Sequence, residues 1–183
     1  MTVVYREKTL TKQEKKQIWD ILCQCDDEFY PKLSLRESSS QKSLTGSRAG
    51  TARPVSYFRE MIKQDFILAY GEDQQIIGFM TFKRDYLCDA LELFGVSLYV
   101  TTVCVRKERR KQGVMKALYR CMESEVPEKR HCRRISTRTW SLNQAQLYEL
   151  PKRGYQQLAL LKDDRGPGVD TVYFGMKVKT PKR

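Results

Sequence analysis

One segment constrains this chain more than any other: an apolar run, Val96 to Val105, enters a basic turn and then an amphipathic stretch that opens just after Gly113. The run is rich in β-branched and aromatic residues, which suit a pleated, half-buried surface. It stops abruptly at Arg106-Lys107-Glu108-Arg109-Arg110-Lys111. Beyond the turn, Leu118, Met122 and Val126 recur at helical spacing, so a helix is expected over Lys116 to Glu125. A strand feeding a helix this way leaves the first helical amides and the positive end of the dipole beside the strand's end, where an anion can sit. Gly113 lets a ligand approach the backbone closely, and Arg110 and Lys111 add charge for phosphate. On the residues alone, an ordinary helix start on a solvated basic face is the competing reading.

The rest of the chain alternates between the two periodicities. Ile18, Ile21, Leu22 and Cys25 give one face to a helix over Thr11 to Asp26, with Thr11 and Glu14 spaced as a capping box. Pro31 to Pro54 reads as a long loop with a short helical turn near Gln41 to Leu44. Val55 to Lys63 follows a proline as a second helix. Phe66 to Tyr70 and Ile76 to Phe82 form a hairpin about Gly71-Glu72-Asp73-Gln74, and Leu87 to Phe94 is ambiguous. Arg134 to Trp140 reads as a strand, Asn143 to Leu150 as a short helix, and Tyr155 to Leu161 and Asp170 to Val178 as closing strands. At 183 residues this is one layered α/β domain.

Charge and cysteines narrow the function classes. Lys and Arg total 34 against 22 Asp and Glu, a formal net charge of +12. Such a field draws nucleic acid, anionic lipid or a phosphorylated cofactor, and does not choose among them. Cys23, Cys25, Cys88, Cys104, Cys121 and Cys132 show no C-x-x-C spacing, and His131 is the one histidine, which argues against structural zinc. Apolar stretches such as Phe94 to Val105 fall far short of the roughly 20 residues of a membrane span. Met1 to Lys8 carries charges where a signal peptide is apolar, so a cytoplasmic protein with reduced thiols is expected.

Two spaced blocks carry a resemblance. Val103-Cys104-Val105 followed by Arg110, Gly113 and Met115 resembles the strand end and R/Q-x-x-G-x-G/A turn of the GNAT superfamily of N-acetyltransferases. Asn143 to Tyr155 is similar to that family's N-x-x-A-x-x-L-Y-x-x-x-G-F element, with a longer linker before Gly154-Tyr155. Met115 stands where a small residue is usual, and Lys111 where glycine is common. The resemblance spans about Phe66 to Val178 and implies a mixed, mostly antiparallel sheet of six or seven strands, flanked by helices and splayed after Val103. It implies acetyl-coenzyme A as acyl donor: the backbone of Val103, Cys104 and Val105 against the pantetheine arm, and Arg110, Lys111 and the amides of Gln112, Gly113, Val114 and Met115 on the pyrophosphate. Asn143 either holds cofactor or caps its helix.

By the same resemblance an amine attacks the thioester directly, and Tyr148 is the expected general acid. No carboxylate lies on Tyr99-Val100-Thr101-Thr102, so the base falls to Glu92 or Asp89, or to a water relayed by Thr101 or Tyr99. Cys104 reads as core rather than nucleophile, and His131 as non-catalytic. Residues 1–65 are expected to shape the acceptor site, with Phe29, Tyr30 and Tyr57 as candidate lining, and residues 66–178 the cofactor core. The acceptor is a small-molecule or peptide amine, and a monomer or a dimer is compatible with the sequence. A protein this basic repels polycations unless its cleft is locally acidic, for which Asp26-Asp27-Glu28 is the one tight cluster. Two other readings stand beside the enzyme: an acyl-coenzyme A sensor without catalysis, and a nucleic-acid-binding module using the tail Lys177 to Arg183.

Overall fold

The computed structural model describes residues 1–42, 44 and 52–178. Among them the elements are β1 (Thr2–Arg6), α1 (Lys12–Cys25), α2 (Val55–Met61), β2 (Asp65–Tyr70), β3 (Ile76–Tyr86), β4 (Ser97–Val105), α3 (Val114–Arg130), β5 (Arg134–Trp140), α4 (Gln144–Lys152), β6 (Gln156–Leu161) and β7 (Thr171–Lys177). The strands form one sheet in the order β1-β2-β3-β4-β5-β7-β6. Every neighbouring pair is antiparallel except β4 and β5. This is the mixed, helix-flanked sheet expected from the sequence.

Two apolar layers sandwich the sheet, and strand alternation assigns each residue to one of them. Ile67 and Ala69 of β2 face α3, where Leu118, Met122 and Val126 meet them. Phe66 and Leu68 face α1 and α2, against Ile18, Ile21, Leu22, Tyr57 and Met61. Thr11 caps α1 as the spacing predicts: its hydroxyl accepts from the Glu14 amide at 3.1 Å, and Glu14 Oε2 accepts from the Thr11 amide at 2.6 Å. Glu14 Oε1 also accepts from the Tyr70 hydroxyl at 2.6 Å, which ties the helix start to β2.

Three departures from the sequence reading have physical reasons. The N-terminal stretch read only for its charges is an edge strand: β1 pairs with β2, and Tyr5 and Val3 turn into the α3-side core. Its charges lie on an edge, where they cost little and obscure the alternation. Helix α3 is longer at both ends than expected, running from Val114 through Pro127 to Arg130, where His131 ends it at φ 51°. The ambiguous stretch at Leu87 to Phe94 makes one helical turn, Asp89–Leu91, with Leu91 buried. The expected turn near Gln41 to Leu44 includes Ser43, outside the described residues, as do residues 179–183 of the basic tail.

The splay of the sheet opens earlier than expected. β4 pairs with β5 only from Leu98 to Val100, opposite Ile135 to Thr137. The Thr137 hydroxyl donates to the Val100 carbonyl at 3.1 Å, closing the ladder there rather than at Val103. The cause is a bulge. Thr81 pairs with Thr102 but Phe82 with Val100, leaving Thr101 as an extra residue in β4. Leu98 and Val100 face the α3 side before it, and Val103 and Val105 after it, so the parity flips at Thr101. An extra residue bends its strand, and here the bend carries the second half of β4 away from β5. Thr101 is held in place by Thr81 Oγ1 at 2.7 Å and by donation to the Thr81 carbonyl at 3.1 Å.

Candidate active site

At the end of β4 the chain makes a single helical turn, Lys107–Arg109, then passes through Arg110 and Lys111 to Gly113. Lys111 has φ 60° and Gly113 φ 77°, both in the left-handed region. That conformation costs a side-chain-bearing residue about 1–2 kcal/mol, which is why glycine suits both places. The first bond of α3 runs from the Ala117 amide to the Gly113 carbonyl at 3.0 Å, and no side chain caps the helix. The amides ahead of Ala117 therefore face outward as a concave set of donors at the positive end of the dipole.

A cleft of about 530 Å³ lies against these amides. It brings together Val103, Cys104, Val105, Arg110, Lys111, Gly113, Val114 and Met115, all expected from the sequence. Gln112 does not line it; its side chain turns back to the Glu108 carbonyl at 3.4 Å. Arg110 lies across the strand end, donating to Glu28 at 2.8 Å and to the Val105 carbonyl at 3.3 Å. The sequence reading missed Cys25 and Lys116, and the Ala145 and Glu149 face of α4.

A smaller cavity, about 170 Å³, occupies the splay between β4 and β5. Val100 to Val103 form one wall, Thr137 to Trp140 the other, with Tyr119, Asn143 and Gln146 along α3 and α4. Val103, Glu28 and Phe29 line both cavities, so the turn that follows α1 closes over their junction. The Tyr119 hydroxyl donates to Gln146 Oε1 at 3.0 Å, and burial pushes its pKa well up, keeping it protonated. Asn143 caps α4 by accepting from the Gln146 amide at 3.3 Å, and lines this smaller cavity rather than the cleft.

Other sequence candidates lie elsewhere. Tyr148, expected as general acid, is 62% exposed and lines neither cavity. Its hydroxyl accepts from Lys152, whose ammonium also lies 3.7 Å from the ring centroid. The reason is helical phase: Ala145 and Glu149 turn one side of α4 to the cleft, and Tyr148 falls beside it toward solvent. Glu92 and Asp89 are exposed around the turn before β4 and line neither cavity. Tyr99 is fully buried, stacked on Tyr86 at 4.0 Å, while Thr101 does line the smaller cavity. Cys104 is buried, which raises its pKa, so it is core as expected. Phe29 lines both cavities, whereas Tyr57 is sealed in the core with its hydroxyl 2.7 Å from Thr102, and Tyr30 lines neither.

A sheet split by a bulge, with a helix N-terminus presenting donors at the mouth of the split, defines a protein built to hold an elongated anionic ligand alongside β4. The acetyltransferase (GNAT) family model matches residues 17–155. The chain belongs to that family. Its fold is similar to an aminoglycoside 6'-N-acetyltransferase solved with coenzyme A, at 14% identity over 100% of both chains and a TM-score of 0.71. It is also similar to an aminoglycoside 6'-acetyltransferase type Ii (17% identity, 100% of both chains, TM-score 0.68). A third likeness is to a ribosomal-protein-alanine N-acetyltransferase from Brucella melitensis (13% identity, 97% of this chain and 99% of that chain, TM-score 0.64). No curated protein matches the sequence significantly. No described helix is long and apolar enough to cross a membrane, and no described cluster of side chains fits a metal ion.

Proposed function

We propose that this chain transfers the acetyl group of acetyl-coenzyme A to a primary amine by direct attack, without a covalent acyl-enzyme. The observation that carries the reading is the meeting of the two cavities at Val103. A cofactor with its pyrophosphate on the amides of Gly113 to Met115 runs its arm along Val105 and Cys104, and its thioester reaches the junction at Val103. The amine comes to the same point from the smaller cavity, and residues 1–65 contribute Glu28 and Phe29 to that side. Lys116 also borders a hollow whose lining sets Arg120, Lys152 and Arg153 against Glu123 and Glu149, a net-positive seat for the cofactor's nucleotide end.

The residues at the junction supply the proton transfers. Glu28 is the one carboxylate among the described lining of the smaller cavity, and it takes the place read for Glu92 as acceptor of the amine's proton. Its pairing with Arg110 at 2.8 Å fixes it where the two cavities meet. Tyr119 takes the place read for Tyr148 as donor to the departing thiolate, because it lines the same cavity as Val103 and burial keeps its hydroxyl protonated.

Thermal melting with and without acetyl-coenzyme A tests the cofactor half. At a hundred times its dissociation constant a single-site ligand stabilises by roughly 2.7 kcal/mol. For a chain of this size that raises Tm by about 5–10 °C. An unchanged Tm at millimolar acetyl-coenzyme A would sink this reading and favour the nucleic-acid alternative.

A further inference from the structure

The walls of the smaller cavity hold more positive charge than acetyl transfer to a plain amine requires. Arg138 lines it directly. Phe29 and Trp140, with ring centroids 5.7 Å apart, form another part of the wall, and each is backed by a buried guanidinium. Arg36 lies 5.6 Å from the Phe29 centroid, and Arg165 lies 5.4 Å from that of Trp140. Arg36 and Arg165 donate to the same acceptor, the Tyr30 carbonyl, at 2.9 and 2.6 Å, so two cations converge on one neutral oxygen. Arg138 donates to the Tyr173 hydroxyl at 3.3 Å and to the Ser39 and Gln41 carbonyls at 3.3 and 3.1 Å. These partners are neutral too. Among the described residues none of the three arginines is within ion-pairing distance of a carboxylate.

Carboxylates nearby are engaged elsewhere. Asp26 accepts from the Ser34 amide at 2.7 Å, Asp27 pairs with Lys32 at 2.5 Å, and Glu28 pairs with Arg110. Asp164 accepts from the Thr171 hydroxyl at 2.5 Å, and that hydroxyl accepts from Arg165 at 2.9 Å. The acidic cluster that would have welcomed a polycation is therefore engaged within the fold, Asp26 by an amide and Asp27 and Glu28 by cations. Burial lowers the pKa of Arg36 to about 10 and that of Arg165 to about 9, and neighbouring guanidiniums deepen both shifts, yet both stay charged at neutral pH. Buried cations without counter-charge cost several kcal/mol unless a ligand supplies the missing acceptor, and Arg138 is the one of the three that lines the cavity.

We infer that the acceptor is an amine that also carries a carboxylate, which Arg138 holds in the splay between β4 and β5 while the amine meets the thioester at Val103. Beyond its three bonds to Tyr173, Ser39 and Gln41, Arg138 keeps N–H groups that can donate a charge-assisted hydrogen bond to a carboxylate. The cavity's small volume suits an amino acid or the acidic end of a peptide rather than an aminosugar scaffold. The same positive field turns polyamines away. This inference rests on the acetyl-transfer reading above.

The test is thiol release from acetyl-coenzyme A with matched acceptors: free amino acids and short acidic peptides, each beside its carboxamide, with spermidine and kanamycin as polycationic controls. The expected result is that at least one carboxylate acceptor exceeds its carboxamide by about tenfold or more in kcat/KM, since a site built for a charged group rejects the analogue lacking it. Free amino acids leading would name an α-carboxylate, and acidic peptides leading a side-chain or C-terminal one; either supports the proposal. Arg138→Gln should abolish the preference, and Arg138→Lys should retain part of it, while the acetyl-coenzyme A dissociation constant stays within about twofold. The wild-type comparison stands even where a variant folds poorly. Equal rates for acid and carboxamide, a preference for spermidine or kanamycin, or a preference that survives Arg138→Gln in folded protein would overturn the inference. So would turnover of no carboxylate acceptor by a protein that binds acetyl-coenzyme A. A protein that does not bind acetyl-coenzyme A at all overturns the underlying reading instead.

Discussion

Replacing Gly113 with aspartate is expected to weaken acetyl-coenzyme A binding by at least about a hundredfold. Two effects act together. The new carboxylate would stand among the amides proposed to hold the pyrophosphate, and like charges about 4 Å apart near a surface repel by roughly 4 kcal/mol. A tenfold change in affinity corresponds to about 1.4 kcal/mol, so this repulsion alone suffices. The second effect is conformational, because φ is 77° at Gly113 and a side chain there costs about 1–2 kcal/mol of folding stability. A Cβ on Gly113 would meet nothing within 4 Å, so crowding is not involved. Gly113→Ala therefore isolates the strain, and titration calorimetry on both variants separates strain from charge. Equal affinity in Gly113→Asp and wild type would remove this turn from the cofactor site.

Tyr119→Phe is expected to lower kcat by about a hundredfold, the low end for loss of a positioned proton donor, while the acetyl-coenzyme A dissociation constant holds. The distinction matters because Tyr119 also packs. Its ring meets Tyr155 edge-on with centroids 6.2 Å apart and carries the Arg153 guanidinium at 4.9 Å, contacts that phenylalanine retains. Only the hydroxyl and its bond to Gln146 are lost. A single-turnover rate equal to wild type would show that Tyr119 is a core aromatic. Tyr148→Phe is the natural control, since its hydroxyl meets Lys152 in solvent.

The parts legible in the sequence were those whose cause is local. The capping box at Thr11, the hairpin from β2 to β3, strand β5 and the basic glycine turn before α3 each follow from spacing or residue type within a few positions. The cofactor half of the candidate site is one contiguous stretch, which is why most of it could be read directly. The acceptor half is assembled from the turn after α1, β4, α3, β5 and α4, and its decisive features are long-range. The Thr101 bulge could not be read because β4 is apolar on both faces, so a flip of parity leaves no mark in its hydrophobic pattern. Arg138 lies mid-strand and reads as solvent-facing, since nothing near it in sequence reveals the fold closing over it. Glu28 was read only as part of an acidic cluster; its role depends on Arg110, 82 positions away. Tyr148 lies outside both cavities for the opposite reason, because a motif letter says nothing about helical phase.

The central claim is that this chain performs acetyl transfer and does not merely hold the cofactor. Its most direct test is to follow free coenzyme A thiol and N-acetylated product together, in one reaction containing acetyl-coenzyme A and the amine panel. The account predicts thiol release well above the rate without amine, matched one for one by a new amide on at least one acceptor. Saturable binding of acetyl-coenzyme A with thiol release no faster than hydrolysis, whatever the amine, would contradict it and leave a sensor in place of an enzyme.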